Sequence, residues 1–348
     1  DVGVLVGAEI RKETMDDARD PNIDGTIVYS TVPEAKNQAT FPYISNISNS
    51  SPSPNTYGER TVTSLFVEMQ VPLATNLESQ LAVRGENADD YGSNVVGKIA
   101  MGYTPNDWIK IRGSRSTSHR APNLITVNEG IVVRNNTLTD YLYTKANGSG
   151  DVYSIQRVAK GNENLESEES TNTNLGIVLT PVDDLVITID TWEIATENTV
   201  GLFGERNHLL LDTLIRAEGG PSECTGNPFV IRGDFIPDND EDSQTNNAGW
   251  DSNFCKSGMV QRVEDVYVNL DDRTLSGTDM VIEYSLETGF GSFSVKYTSV
   301  QYDEFLQEAS GDSMRLIEAT NPGGALEGLP APAGYGDLIN TYTSRAYP

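Results

Sequence analysis

Nine short segments of this chain alternate apolar and polar residues with a period of two, and almost every second connection between them is tight. The clearest is 61–71, where Leu65, Val67, Met69 and Val71 share one face and Ser64, Phe66, Glu68 and Gln70 the other. Alternation of this kind marks a β-strand with two unlike surroundings. The same pattern recurs at 2–11, 77–86, 95–103, 108–114, 175–180, 185–194, 280–286 and 293–298. Its polar faces carry Glu78, Arg84 and Glu86, Lys98, Lys110 and Arg112, Asp190, and Asp279 and Glu283. A face with that many charges does not enter a dry core, so one side of the sheet alone meets an apolar environment.

The connections sort by parity. Pro72 ends one strand before a short link, and Thr104-Pro105-Asn106-Asp107, Pro181-Val182-Asp183-Asp184 and 288–291 are tight turns rich in Pro, Asn, Asp and Gly. The intervening connections are long, about 13–59, 115–173 and 198–274, with 87–94 a short member of this class and the tail from about 301 to 348 read as one more loop. Connections in compact soluble domains are mostly about 4–6 residues. Outer-membrane barrels, in contrast, carry short turns at the periplasmic end, long loops at the extracellular end and an apolar outer face over a polar lumen. A soluble sandwich has period-2 strands too, but its loops need not sort by parity.

Composition narrows the choice. No run of about 18 apolar residues exists, so no transmembrane helix is expected, whereas a membrane strand needs only about 9–11 alternating residues and escapes a hydropathy scan. The mean hydropathy of −0.38 and 37% hydrophobic residues suit a barrel as well as a soluble protein. Asp and Glu outnumber Lys and Arg 51 to 24, a net charge of −27, which argues against nucleic acid as a partner because phosphate binding needs a basic footprint.

With the strands placed, several stretches resemble TonB-dependent outer-membrane receptors. Arg120-Ala121-Pro122-Asn123, after Trp108-Ile109-Lys110-Ile111-Arg112-Gly113-Ser114, looks like that family's strand before a long extracellular loop. Asn164-Leu165-Glu166-Ser167-Glu168-Glu169-Ser170 with Asn174-Leu175-Gly176 looks like the return, with Ser167 where the family typically has Pro. Weaker matches are Gly7-Ala8-Glu9-Ile10-Arg11, Val71-Pro72-Leu73, Tyr91-Gly92-Ser93, Leu185-Val186-Ile187-Thr188-Ile189-Asp190, Ser276-Gly277-Thr278-Asp279 and Phe290-Gly291-Ser292-Phe293. The resemblance implies an all-β, antiparallel transmembrane barrel segment with long extracellular loops and tight periplasmic turns, in the outer membrane of a Gram-negative bacterium. It implies uptake of a scarce ligand (siderophore, cobalamin, metal chelate or oligosaccharide), coupled to the TonB complex through a plug domain. The plug, with its TonB-contact segment, and the family's final aromatic-ended strand are not found in 1–348, and barrels close with an even strand number. The chain is therefore expected to be a partial barrel domain that lacks the plug, the earlier strands and the last strands.

Candidate residues follow from the same placement. Arg112, Arg115 and Arg120 can line the upper lumen and meet an anionic ligand, or pair with Glu166, Glu168 and Glu169 in an ion-pair network. Asn123 belongs to the loop entry, and Trp192 shares a face with Asp190, which points it inward. Trp108, Tyr103 and Tyr297 suit an interfacial aromatic belt. Cys224 and Cys255 fit no zinc signature and are expected to form one disulfide closing a surface loop, the alternative being two unpaired thiols. Asp238, Asp240 and Asp242 have the opening spacing of a calcium loop, but Ser243 and Gly249 stand where an EF-hand needs Gly and Glu, so a solvated acidic loop is expected. His119 and His208, the two histidines, form no recognisable metal or triad pattern, and no Gly-rich phosphate loop occurs. No cofactor and no enzymatic activity are expected. The competing readings are a soluble or surface-attached β-rich binding protein and a carbohydrate-active β-enzyme.

Overall fold

The computed structural model of the protein describes residues 1–24, 53–144, 150–222, 224–234, 255 and 257–339. The chain opens with five strands, β1 (Gly3–Asp17), β2 (Thr56–Ala74), β3 (Leu77–Ala88), β4 (Gly92–Asn106) and β5 (Ile109–Arg120). A short helix α1 (Leu124–Asn128) and the hairpin β6 (Val132–Thr144) and β7 (Gly150–Lys160) precede β8 (Glu168–Val182) and β9 (Leu185–Glu197). Next come β10 (Val200–Leu202), α2 (Glu205–Gly219), β11 (Val230–Arg232) and β12 (Val260–Asn269). The chain then returns through β13 (Arg273–Thr288), β14 (Gly291–Gln307), α3 (Gly311–Thr320) and β15 (Gly336–Asp337).

The nine long strands form one antiparallel sheet in chain order, β1-β2-β3-β4-β5-β8-β9-β13-β14, ending on the two-residue β15. Thr75-Asn76, Asp107-Trp108, Asp183-Asp184 and Gly289-Phe290 make the two-residue turns at one end, and all long excursions leave from the other.

Side chains directly opposite in an antiparallel pair stand on the same side, so the register assigns the faces. Val67 stands between Val6 and Val83, Ile177 between Ile111 and Ile189, and Ile282 between Ile187 and Tyr297. Among the described residues no other layer covers this face: Leu65 is 66% exposed, Val95 74% and Val295 66%. On β2 the apolar run from Leu65 to Leu73 covers about 26 Å along the strand, or about 20 Å of height at a tilt near 40°, close to the apolar band of about 25 Å on membrane barrels. On β5 and β9 charge ends it at Arg115 and Glu193. No described helix is long and apolar enough to cross a membrane.

The strands are longer than the alternation predicts, and the extra length lies at the long-loop end. β1 and β2 run on to Asp17 and back to Thr56 through residues expected in a loop, because cross-strand pairs such as Lys12–Glu59 (3.0 Å) replace hydrophobic contrast there. Likewise Arg120 and Glu168, expected in the loop 115–173, are paired strand ends of β5 and β8.

The long connections between wall strands carry secondary structure of their own and fold into a cap with its own core. β10, β12, β7 and β6 make a second sheet, with β12 and β7 parallel and β11 added on β12. One apolar cluster joins Tyr153, Ile155, Leu209, Val230, Val260 and Val263. A second joins Leu210, Leu211 and Leu214 of α2 to Leu316 and Ala319 of α3 and to Leu326. Burial of such side chains contributes about 1.5–3 kcal/mol each, so the cap is held by packing while the wall is held mainly by its ladders.

Candidate functional site

Three buried polar centres fix the cap. Arg232 on β11 donates Nη1 and Nη2 to Asp140 of β6 (2.8 and 2.9 Å) and Nε to Asp212 of α2 (2.8 Å). Both carboxylates are fully buried. Burial acts to lower the Arg232 guanidinium, but Asp140 and Asp212 outweigh it and hold it raised. Asp212 also accepts from Arg216 and the Asn227 N–H, and Asp140 from the Tyr153 hydroxyl (2.7 Å). At the second centre, Asp265 of β12 accepts from Arg157 and from the N–H of Gly204, the residue that caps α2, with His208 Nε2 3.4 Å away. Burial acts to raise this carboxyl, yet His208, the Gly204 N–H and Arg157 bring it below its ordinary value of 3.8. At the third, Asp271 occupies the start of α3, taking the Ser310 N–H and hydroxyl (both 2.6 Å) and the Ser313 hydroxyl (2.9 Å). A disulfide joins Cys224 and Cys255, Cα atoms 5.1 Å apart, beside the Arg216 Nη1 bond to the Cys224 carbonyl.

Between cap and wall lies a cavity of about 520 Å³. Its wall side is one lateral row on the polar face: Ser118, Ser170, Thr196, Arg273 and Gln307 stand directly opposite one another across β5, β8, β9, β13 and β14. All but Ser118 line the cavity. Arg120 and Glu168 form the row above, joined by an ion pair of 2.6 Å, and Glu168 also accepts the Val200 N–H of the cap (2.7 Å). The cap side brings Phe203 and Asn207, and the segment after α3 brings Tyr335, whose hydroxyl meets Ser313 at 2.8 Å and is pushed up to about 12 by burial.

The sequence-selected residues are spread over the wall. Arg120 lines the cavity and is engaged by Glu168, which is one of the pairings expected. Arg112 stands on the same face about 26 Å lower along β5 and holds Asp190 of β9 (Nε–Oδ1 3.0 Å) across Gly176. A Cβ at Gly176 would overlap that carboxylate, so glycine lets the pair lie flat on the wall. Trp192 is on this polar face too, lying over Gly277 with its ring 5.9 Å from Tyr302. Arg115 belongs to the opposite, apolar face, away from the cavity. Asn123 is exposed at the start of α1 and accepts the Thr126 hydroxyl through its carbonyl (2.8 Å). The structure therefore does not bring Arg112, Arg115, Arg120, Asn123 and Trp192 into one site. Asp238, Asp240 and Asp242 lie outside the described residues, among which no group of three or more potential ligands is placed to hold a metal ion.

Arg273, Gln307, Asn207 and Tyr335 escape the sequence reading. Arg273 has a usable signal, since carrying the β13 alternation back from Asp279 puts it on the polar face. Gln307 has none: a bulge between Gly277–Tyr302 and Ser276–Glu304 shifts β14 by one residue and reverses its parity.

The profile of the family described as TonB dependent receptor-like, beta-barrel, matches residues 22–332. The chain belongs to the TonB-dependent receptor β-barrel family. Proteins of this family are outer-membrane barrels of Gram-negative bacteria, acting as receptors and transporters. Two solved structures show the same fold. A mutant of the ferric enterobactin receptor PfeA of Pseudomonas aeruginosa, in complex with enterobactin, is 15% identical with a TM-score of 0.51, over 90% of this chain and 34% of that one. The siderophore receptor PirA of Acinetobacter baumannii is 15% identical with a TM-score of 0.50, over 87% and 34%. A comparison with curated proteins returns no match. This TonB-dependent receptor chain thus spans about a third of the length of the solved receptors it matches. In barrels of this kind the apolar outer face meets lipid and the polar inner face lines the lumen.

Proposed function

We propose that the protein forms part of the wall and the extracellular cap of a TonB-dependent receptor that captures a scarce small molecule at the cell surface. The observation that carries this reading is the uncovered apolar band on one face of the wall, with a polar cavity on the other face closed over by a folded cap. Lipid is the occupant that suits the band, because an uncovered apolar face this large is unstable in water. The cavity sits where the lumen opens to the outside. Passage of the ligand inward follows the family's scheme, a plug driven by the TonB complex.

The chain reads as a partial barrel domain, nine strands of a wall that in plugged transporters has about 22. Among the described residues β1 and most of β14 have one edge without a partner strand, and hydrocarbon offers nothing to bond their N–H and C=O groups. Neighbouring strands, a plug and the TonB contact are therefore assigned to segments outside 1–348. The ligand is proposed to be a siderophore, cobalamin, metal chelate or oligosaccharide, and the siderophore receptors among the similar structures make a metal chelate the first one to test. No bond-making step is assigned.

Membrane fractionation tests this. The full gene product, expressed in a Gram-negative host, is expected in the detergent-extracted outer-membrane fraction, and deleting the gene is expected to abolish energy-dependent uptake of its ligand. A product that stays in the aqueous phase without detergent refutes the reading and leaves the β-rich soluble binder in its place.

A further inference from the structure

We propose that Arg273 is the anion-recognition residue of the cavity under the cap, and that the captured ligand presents an oxyanion, carboxylate or phosphate, to it. This deepens the receptor reading above and rests on it.

The argument begins with charge pairing. In a chain with 51 acidic and 24 basic residues, five of the seven arginines on the wall strands face a carboxylate, Arg11, Arg60, Arg84, Arg112 and Arg120, while Arg115 stands on the apolar face away from the cavity. Arg273 has no carboxylate partner among the described residues. Its Nε donates to Gln307 Oε1 at 2.9 Å, and its guanidinium carbon lies 5.6 Å from the centre of the Phe305 ring. Gln307 is itself anchored, its Nε2 donating to the Asp272 carbonyl at 3.2 Å. The guanidinium is thus oriented by a neutral amide and an aromatic face, while Nη1 and Nη2 make no described hydrogen bond. A planar, pre-oriented fork of this kind matches a carboxylate or phosphate in bidentate fashion.

The cavity's own carboxylates do not compete. Glu168 is engaged by Arg120 and the Val200 N–H, and Asp271 by Ser310 and Ser313. Beside Arg273 stand the hydroxyls of Thr196 and Ser170, 2.9 Å apart, which suit the hydroxyl or carbonyl groups of a polar ligand. One row lower the same face turns to Ile194, Leu275 and Phe305, an apolar shelf under the charged rim. An oxyanion on a partly apolar body fits this order.

Calorimetric titration of the full protein in detergent micelles, with citrate and with inorganic phosphate at low ionic strength, tests the assignment. Citrate binding is expected to weaken at least tenfold in Arg273→Met, as loss of a charged hydrogen-bonded pair implies, and less in Arg273→Lys. Glu168→Gln keeps an acceptor for the Val200 N–H but releases Arg120, so anion binding is expected to tighten several-fold. A structural role for either residue would not produce changes of opposite sign. Protease resistance of the cap in each variant checks that it remains folded. Tighter binding of citrate than of phosphate assigns a carboxylate, and the reverse a phosphate. Unchanged anion binding in Arg273→Met overturns the proposal. So does a protein that binds neutral sugars but neither anion, and that outcome leaves the receptor reading standing. An aqueous, uptake-inactive gene product removes the receptor reading itself.

Discussion

Replacing Arg232 by Met separates the two ways a buried ion pair can matter. The side chain is 4% exposed and bridges two carboxylates that are fully buried. Without it, Asp212 keeps Arg216 and the Asn227 N–H, whereas among the described residues Asp140 keeps only the Tyr153 hydroxyl and the Leu142 N–H and no cation. Stranding a buried charge costs about 3–5 kcal/mol, and most of it should fall on Asp140. Arg232→Met is therefore expected to lower cap stability by that amount, and adding Asp140→Asn is expected to recover at least about 1 kcal/mol by removing the stranded charge. Hydrogen exchange read by mass spectrometry reports both effects. Protection should fall on β7, β11 and β12 and hold on β2, β3, β8 and β9. If the double variant is as unstable as the sum of the single ones, or if wall and cap lose protection together, the triad is not what locks β6, β11 and α2.

Three further outcomes are expected. Replacing Cys224 and Cys255 by Ala opens a loop closed across 31 residues, worth about 3.7 kcal/mol on the chain-entropy account, and should lower the denaturant midpoint of the cap while leaving wall exchange unchanged. Asp265 has a folded pKa below its unfolded value of 3.8, so it contributes stability that is present above that value and is lost as pH falls through the folded one. Asp265→Asn should lower cap stability at neutral pH and flatten the acid limb of a stability-versus-pH curve below about pH 4. Val67→Arg, on the apolar face, should cost about 2–4 kcal/mol in vesicle refolding, while Ser114→Arg on the polar face should cost little.

The wall was legible because its environment is two-sided. An apolar face and a polar one impose period two on every strand, and the register confirms the apolar faces read at Val67, Ile99, Ile111, Ile189 and Tyr297. The parity of the connections was legible too, since the tight turns gather at one end of the sheet. Beyond the band the contrast stops. Where β1 and β2 continue, Glu13 faces Arg60 and Lys12 faces Thr61, and a strand held by ion pairs in water has no hydrophobic period to detect.

The cap was illegible for a different reason. Leu209-Leu210-Leu211 with Leu214 is a helical signal, but it splits between two clusters, with Leu209 packing under β12 and the others against α3 more than 100 residues later. A pattern that serves two partners looks irregular until both are placed. The cavity inherits this difficulty, because its residues come from the wall, from the start of α2 and from the segment after α3. Arg120 could be selected because it stands beside a motif stretch, yet Glu168 already engages it. Arg273 has the more open chemistry, but only the polar face of β13, the bulge that re-aims Gln307 and the lack of a carboxylate partner together distinguish it. Of these, the first can be read in a sequence; the other two are properties of the folded sheet.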